Sequence, residues 1–153
     1  MTEMAFPRMV RVRQKFAAQK VADPAAEVAA QLQGLRLEQK VRAGQSVAIT
    51  VGSRGIANIP VIIRAAVEHL KSLGAEPFIV PAMGSHGGGT AEGQRAVIEG
   101  YGVTEEFVGA PIRSSMETVV VAETPEGLPV HFDRNAYEAD HVVVANRVKP
   151  HTD

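Results

Sequence analysis

Apolar residues recur along this chain with two periods. In Met9-Val10-Arg11-Val12-Arg13-Gln14-Lys15-Phe16 apolar and basic residues alternate, the period of a half-buried strand with one wet face. Asp23 before Pro24 predicts a helix start, because the carboxylate can accept from free N–H groups and proline costs nothing at the first helical position. Val28, Ala29, Leu32 and Leu35 give that helix a thin apolar stripe, and Gly34 sits near its end. Gln45 to Val51 is nearly continuous in apolar and β-branched character, which suits a strand covered on both faces. Ile59, Ile62, Ile63, Ala66, Val67, Leu70 and Leu73 then repeat at helical spacing, with Asn58 placed to cap and Gly74 to stop the helix in a left-handed conformation.

Glu76 to Met83 reads as the next strand, and Thr90 can cap a helix through Gln94, Val97 and Ile98 to a break at Gly100-Tyr101-Gly102. Thr118 to Ala122 and Leu128 to Phe132 flank Pro125-Glu126-Gly127 as a hairpin. A short helix from about Asn135 to Ala139 leads into a last strand from His141 to Asn146. Strands alternating with helices through short loops predict a layered α/β fold: a mostly parallel core sheet flanked by helices, with a late antiparallel hairpin. At 153 residues the chain is expected to be one domain, residues 1–153.

Composition narrows the function. Sixteen basic and seventeen acidic residues leave a net charge of −1 and no field to draw the chain onto nucleic acid or an anionic membrane. No cysteine is present, which excludes disulfides, thiolate zinc sites and a cysteine nucleophile. No apolar run is long enough to span a bilayer or serve as a signal peptide, so a cytoplasmic location is expected.

In such folds ligands gather at the carboxyl ends of the strands. Three segments fall there. Gly52-Ser53-Arg54-Gly55 is either a tight turn or a place where backbone approaches a ligand and a guanidinium holds a carboxylate or phosphate. Met83-Gly84-Ser85-His86-Gly87-Gly88-Gly89-Thr90 sets an imidazole among glycines ahead of a helix; no lysine follows the glycines, which argues against a nucleotide phosphate loop. Asn146-Arg147-Val148-Lys149-Pro150-His151-Thr152-Asp153 brings a second imidazole to the same sheet edge. Two imidazoles approaching one ligand suit acid–base chemistry, since an unperturbed imidazole titrates near neutrality. His69 and His131 read as structural. A histidine-liganded metal hydrolase and a noncatalytic domain binding phosphate or another anion stay open as alternatives.

GSRG after one strand, GSHGGGTAEGQ after the next and RVKPHTD at the end together resemble the amino-terminal domain of the nickel-dependent lactate racemase family, in order and spacing over most of the chain. The resemblance implies an isomerase: a 2-hydroxy acid racemase or epimerase that transfers hydride to a nickel pincer nucleotide derived from nicotinic acid. By motif, His86 and His151 match its acid–base pair, and Arg54 matches an arginine that engages anionic groups of substrate or cofactor. Ser53 stands where the family usually has threonine, and Gly84, Ser85 and Gly87 fall in the substrate- or cofactor-binding loop. The lysine tether and nickel-binding histidine would lie past Asp153, so no metal ligand is expected within this chain, which is read as a truncated domain inactive alone. Cofactor-maturation proteins are the implied partners. Val51 and Gly87 depart from the aspartate and arginine common at these places, which points to a hydroxy acid other than lactate.

Overall fold

In a computed structural model, which describes residues 9–16, 20–53 and 55–147, the strand predicted from Gln45 to Val51 becomes β1 (Ser46–Val51), the middle strand of a parallel sheet. On one side it pairs with β2 (Glu76–Pro81), from Ser46 opposite Glu76 to Val51 opposite Pro81. A later strand, His141–Val143, pairs on its other side, from Val47 opposite His141 to Ile49 opposite Val143. Alternate β1 residues serve opposite faces. Val47, Ile49 and Val51 enter one apolar cluster, while Ala48 joins Phe78 and Val80 in a second.

The larger cluster lies under the helices. α1 (Pro24–Gly34) starts where Asp23 accepts from the N–H groups of Ala25 and Ala26, as the sequence predicts, and adds Leu32 to the edge of the cluster. α2 (Ile59–Ser72) contributes Ile59, Ile63, Ala66, Val67 and Leu70 and is followed by Gly74 at φ +80°. Asn58 does not cap it by its side chain: its backbone is left-handed at φ 60°, away from the extended geometry that aims a capping side chain at the first turn, and Pro60 removes one of the donors. α3 (Ala91–Gly100) is capped by Thr90 and buries Ile98. A further short helix, α4 (Glu105–Val108), was not anticipated; Thr104 caps it and Arg95 bridges Glu99 and Glu105 across the gap to α3.

The second face is covered more thinly. The hairpin forms as β3 (Thr118–Glu123) and β4 (Pro129–Asp133), antiparallel, with a register irregularity between Val120 and Ala122. α5 (Arg134–Tyr137) starts slightly earlier than predicted because Asp133 caps it, and it sets Ala136 against Phe78 and Val80. The Arg113 guanidinium stacks over the Phe78 ring at 4.1 Å from its centroid. The last strand, β5 (His141–Val143), is shorter than the six-residue run that its composition predicts.

The alternating segment 9–16 forms no strand: Met9, Val10, Val12 and Phe16 are exposed and the backbone is irregular. Alternation supplies a face, but a strand also needs a neighbouring edge to bond to, and no strand pairs with it among the described residues. Among those residues no helix is long and apolar enough to cross a membrane.

Asp140 fastens the amino ends of β1 and β5. Its carboxylate accepts from the Ser46 N–H and from the Ser46 hydroxyl, both at 2.8 Å, while its own N–H donates to Ser46 Oγ at 3.0 Å. The bond from the Ser46 N–H, followed by that from the hydroxyl, holds the Asp140 pKa below its ordinary 3.8. A depressed carboxylate pKa stabilises the fold above the unfolded-state value, and the contribution disappears as pH falls through the folded-state value. Asp140→Ala is therefore expected to lower the melting temperature at pH 7, with the gap to the wild type closing in the acid range below about pH 4. Thermal unfolding followed by circular dichroism at both ends of that range measures this; an equal gap at pH 7 and pH 3 would contradict it.

Candidate active site at the carboxyl ends of the strands

Parallel pairing delivers the ends of β1, β2 and β5 to one edge. There the Ala82 N–H donates to Val51 O at 2.8 Å, and the Ala145 N–H donates to Thr50 Oγ1 at 3.1 Å, drawing the post-strand segments together. Gly52 lies so close to Asn146 that a Cβ at this glycine would fall 2.6 Å from Asn146 Oδ1. These residues, with Ser53, Ile56, Ala82 and Arg147, line a cleft of about 100 Å³. It adjoins a wider depression that shares Ile56, Asn146 and Arg147. Arg147 is steadied by a 3.4 Å bond from Nη1 to Gly55 O.

His86 reaches this edge from the loop between β2 and α3. Its ring Nδ1 is hydrogen-bonded to Ser53 Oγ, which joins two segments 33 residues apart. The Tyr101 hydroxyl donates to Ser53 O at 2.6 Å. Below the ring, the loop lies backbone to backbone on the first turn of α3. A Cβ at Gly93 would fall 1.8 Å from Gly87 O, and one at Gly87 would fall 2.5 Å from the Gln94 amide nitrogen. Gly87 also has φ +66°, a region that disfavours every residue with a Cβ. Thr90 bonds both ways, donating from Oγ1 to Gly87 O and accepting from the Gly93 N–H. The buried Gln94 side chain donates to Gly84 O at 2.7 Å.

Of the residues singled out from the sequence, Ser53 and His86 come together, and Gly84, Ser85 and Gly87 form the loop that carries His86. Arg54 and His151, with the rest of residues 148–153, lie outside the described residues. His69 is half-buried in α2, with Nε2 enclosed and unpartnered. His131 bonds to Thr118 Oγ1 within the hairpin. Sequence reasoning missed three contributors: Tyr101, Gln94 and Asn146. Gln94 left one signal, a polar residue on the buried side of a helix; Tyr101 and Asn146 matter only through long-range approach, which no local pattern encodes.

A larger depression, of about 550 Å³, lies between α2 and α4, but it carries no comparable chemistry. Its Arg64 pairs with Glu68 and lies over Phe107, and its Lys71 donates to Gly109 O. The strand-end cleft, where an exposed imidazole is held by defined partners, is the candidate site.

The family model of the lactate racemase N-terminal domain matches residues 2–152. The chain belongs to that family. A search of curated proteins gives no match. In this lactate racemase N-terminal domain, the described residues form a parallel sheet with the histidine loop at its carboxyl edge.

The tight glycine contact makes the loop testable. Gly93→Ala is expected to cost about 1–3 kcal/mol of stability, the usual range for forcing a methyl into a filled space. It should also displace the His86 ring from Ser53. Denaturant unfolding and a crystal structure of the variant measure the two effects; an unchanged loop and unchanged stability would show that the contact is not constraining.

Proposed function

We propose that the chain is the amino-terminal part of a cytoplasmic 2-hydroxy acid racemase or epimerase of this family, with His86 as one of its acid–base residues. The observation that carries the reading is the exposed His86 imidazole, held by Ser53 at the carboxyl edge of the sheet in a lactate racemase N-terminal domain. His86 takes the hydroxyl proton of one hand of the substrate and returns it in the reverse direction. His151, by its match to the family motif, does the same for the other hand. Arg54, and Arg147 at the cleft wall, are suited to hold the substrate carboxylate, since guanidinium groups bind carboxylates through paired hydrogen bonds.

The expected nickel pincer nucleotide fits this surface only in part. Among the described residues no three His, Cys, Asp or Glu side chains gather to hold a metal ion. The strand ends do offer anionic groups of such a cofactor a cleft walled by the Arg147 guanidinium and by Asn146, whose side chain packs on Gly52. When bound, the cofactor supplies a hydride-accepting centre, which the protein side chains lack. The chain's own part is to bind the acid group, orient the carbinol carbon and move the proton. The substrate is a small hydroxy acid, and cofactor-maturation proteins are the partners this reading requires.

In the full-length protein produced with its cofactor-maturation enzymes, loss of optical activity over a panel of 2-hydroxy acids tests the proposal. His86→Gln is expected to lower kcat by about 10²–10⁴-fold, the usual contribution of a positioned acid–base group. If no hydroxy acid turns over and nickel never co-purifies, the racemase reading is wrong.

A further inference from the structure

The Gly100-Tyr101-Gly102 break that ends α3 has a task besides stopping a helix. Tyr101 is the C-cap residue of α3, and Gly102 follows at φ +87° with its Cα so near Pro60 of α2 that a Cβ would lie 3.2 Å from the proline ring. This packing fixes the start of the tyrosine side chain. Its hydroxyl reaches back across the site to Ser53 O, and the Ser53 hydroxyl in turn meets His86 Nδ1. One helix end is thus connected through a serine to the imidazole that the other helix end supports.

We propose that Tyr101 and Ser53 form a positioning arm that holds His86 with its proton on Nδ1, so that proton exchange with a substrate takes place at Nε2. The proposal rests on the acid–base reading of His86 given above. A serine hydroxyl can donate or accept, so the contact alone permits two tautomers. Only one lets His86 act as a base at its free nitrogen. With Nδ1–H donating to Ser53 Oγ, Nε2 carries the lone pair; after Nε2 takes a proton, both nitrogens carry hydrogen and Ser53 still accepts from Nδ1. The bond therefore survives both halves of the cycle, and one proton moves on and off one nitrogen. The partner of the non-reacting ring nitrogen commonly sets the tautomer in this way. By holding the Ser53 carbonyl, Tyr101 keeps the serine from rotating away with its loop. Tyr101 and Ser53 are positioning residues here, acting through His86.

The test is the ring tautomer of His86, read from long-range proton–nitrogen correlation spectra of the full-length protein labelled with ¹⁵N-histidine, the signal being assigned by its loss in His86→Gln. In the wild type Nδ1 is expected to be protonated and Nε2 bare. Ser53→Ala should move the proton to Nε2, the site preferred by an unconstrained neutral imidazole; Ser53→Thr should restore the wild-type pattern, and Tyr101→Phe should give a mixture of the two. Unchanged His131 and His141 signals separate these effects from unfolding. Should Ser53→Ala fail to fold, the wild-type tautomer and Ser53→Thr decide. A wild-type His86 protonated on Nε2, or a tautomer indifferent to both Ser53→Ala and Tyr101→Phe, overturns the arm. The readout needs no turnover: the expected tautomers without racemisation would leave the arm standing and remove the racemase reading, whereas racemisation with an indifferent tautomer removes the arm alone.

Discussion

Parallel pairing on both sides of β1 is the constraint from which the site follows. A strand bonded in parallel to two neighbours sends all three chain segments out at the same edge, and long crossover connections must carry the chain back. That geometry brings Gly52, Ala82 and Asn146 side by side although they are far apart in sequence. It also explains why the Asp140 and Ser46 bonds matter at the opposite edge: by fixing where β5 begins, they fix the register that determines where Asn146 and Arg147 emerge.

The histidine loop has a different source of order. Glycine-rich loops are often mobile because little packs on them, yet this one is held by contacts that only glycine allows. Gly87 lies against Gly93 at a distance no side chain could share, Thr90 bonds to both, and Gln94 is buried to reach Gly84. The absence of side chains here permits close approach of backbone to backbone, and closeness rather than freedom is the result. α3 serves the site from both ends, by this contact at its start and by Tyr101 at its finish.

The sheet and the main helices were legible in the sequence because each carries its own period: the apolar run of β1, the stripe of α2, and the caps Asp23 and Thr90. The failures have physical causes. Residues 9–16 have the right alternation, but strand formation depends on a partner that the pattern does not name. Asn58 has the right chemistry for a cap but a left-handed backbone that turns it from the task. α4 is four residues long, too short for its periodicity to stand out. In the site, the loops and His86 could be read from their place after strands and their glycines. The partners that hold them, Tyr101 and Asn146, could not, since each contact spans 48 or more residues.

The same packing constrains two positions singled out in the sequence, Val51 and Gly87. Val51 is fully buried in the larger apolar cluster, so a carboxylate there would have to leave water without a partner, at a cost of roughly several kcal/mol. Gly87 is equally constrained: an arginine at φ +66° would be strained, and its Cβ would strike the Gln94 backbone before its guanidinium reached any ligand. Neither residue can therefore be replaced by a charged one without disturbing the core in one case and the His86 loop in the other. The polar groups at the cleft wall come instead from Asn146 and Arg147. The charge of the cleft is therefore set from the β5 side, by a guanidinium and an amide, rather than from the end of β1, whose last residue is buried in the core.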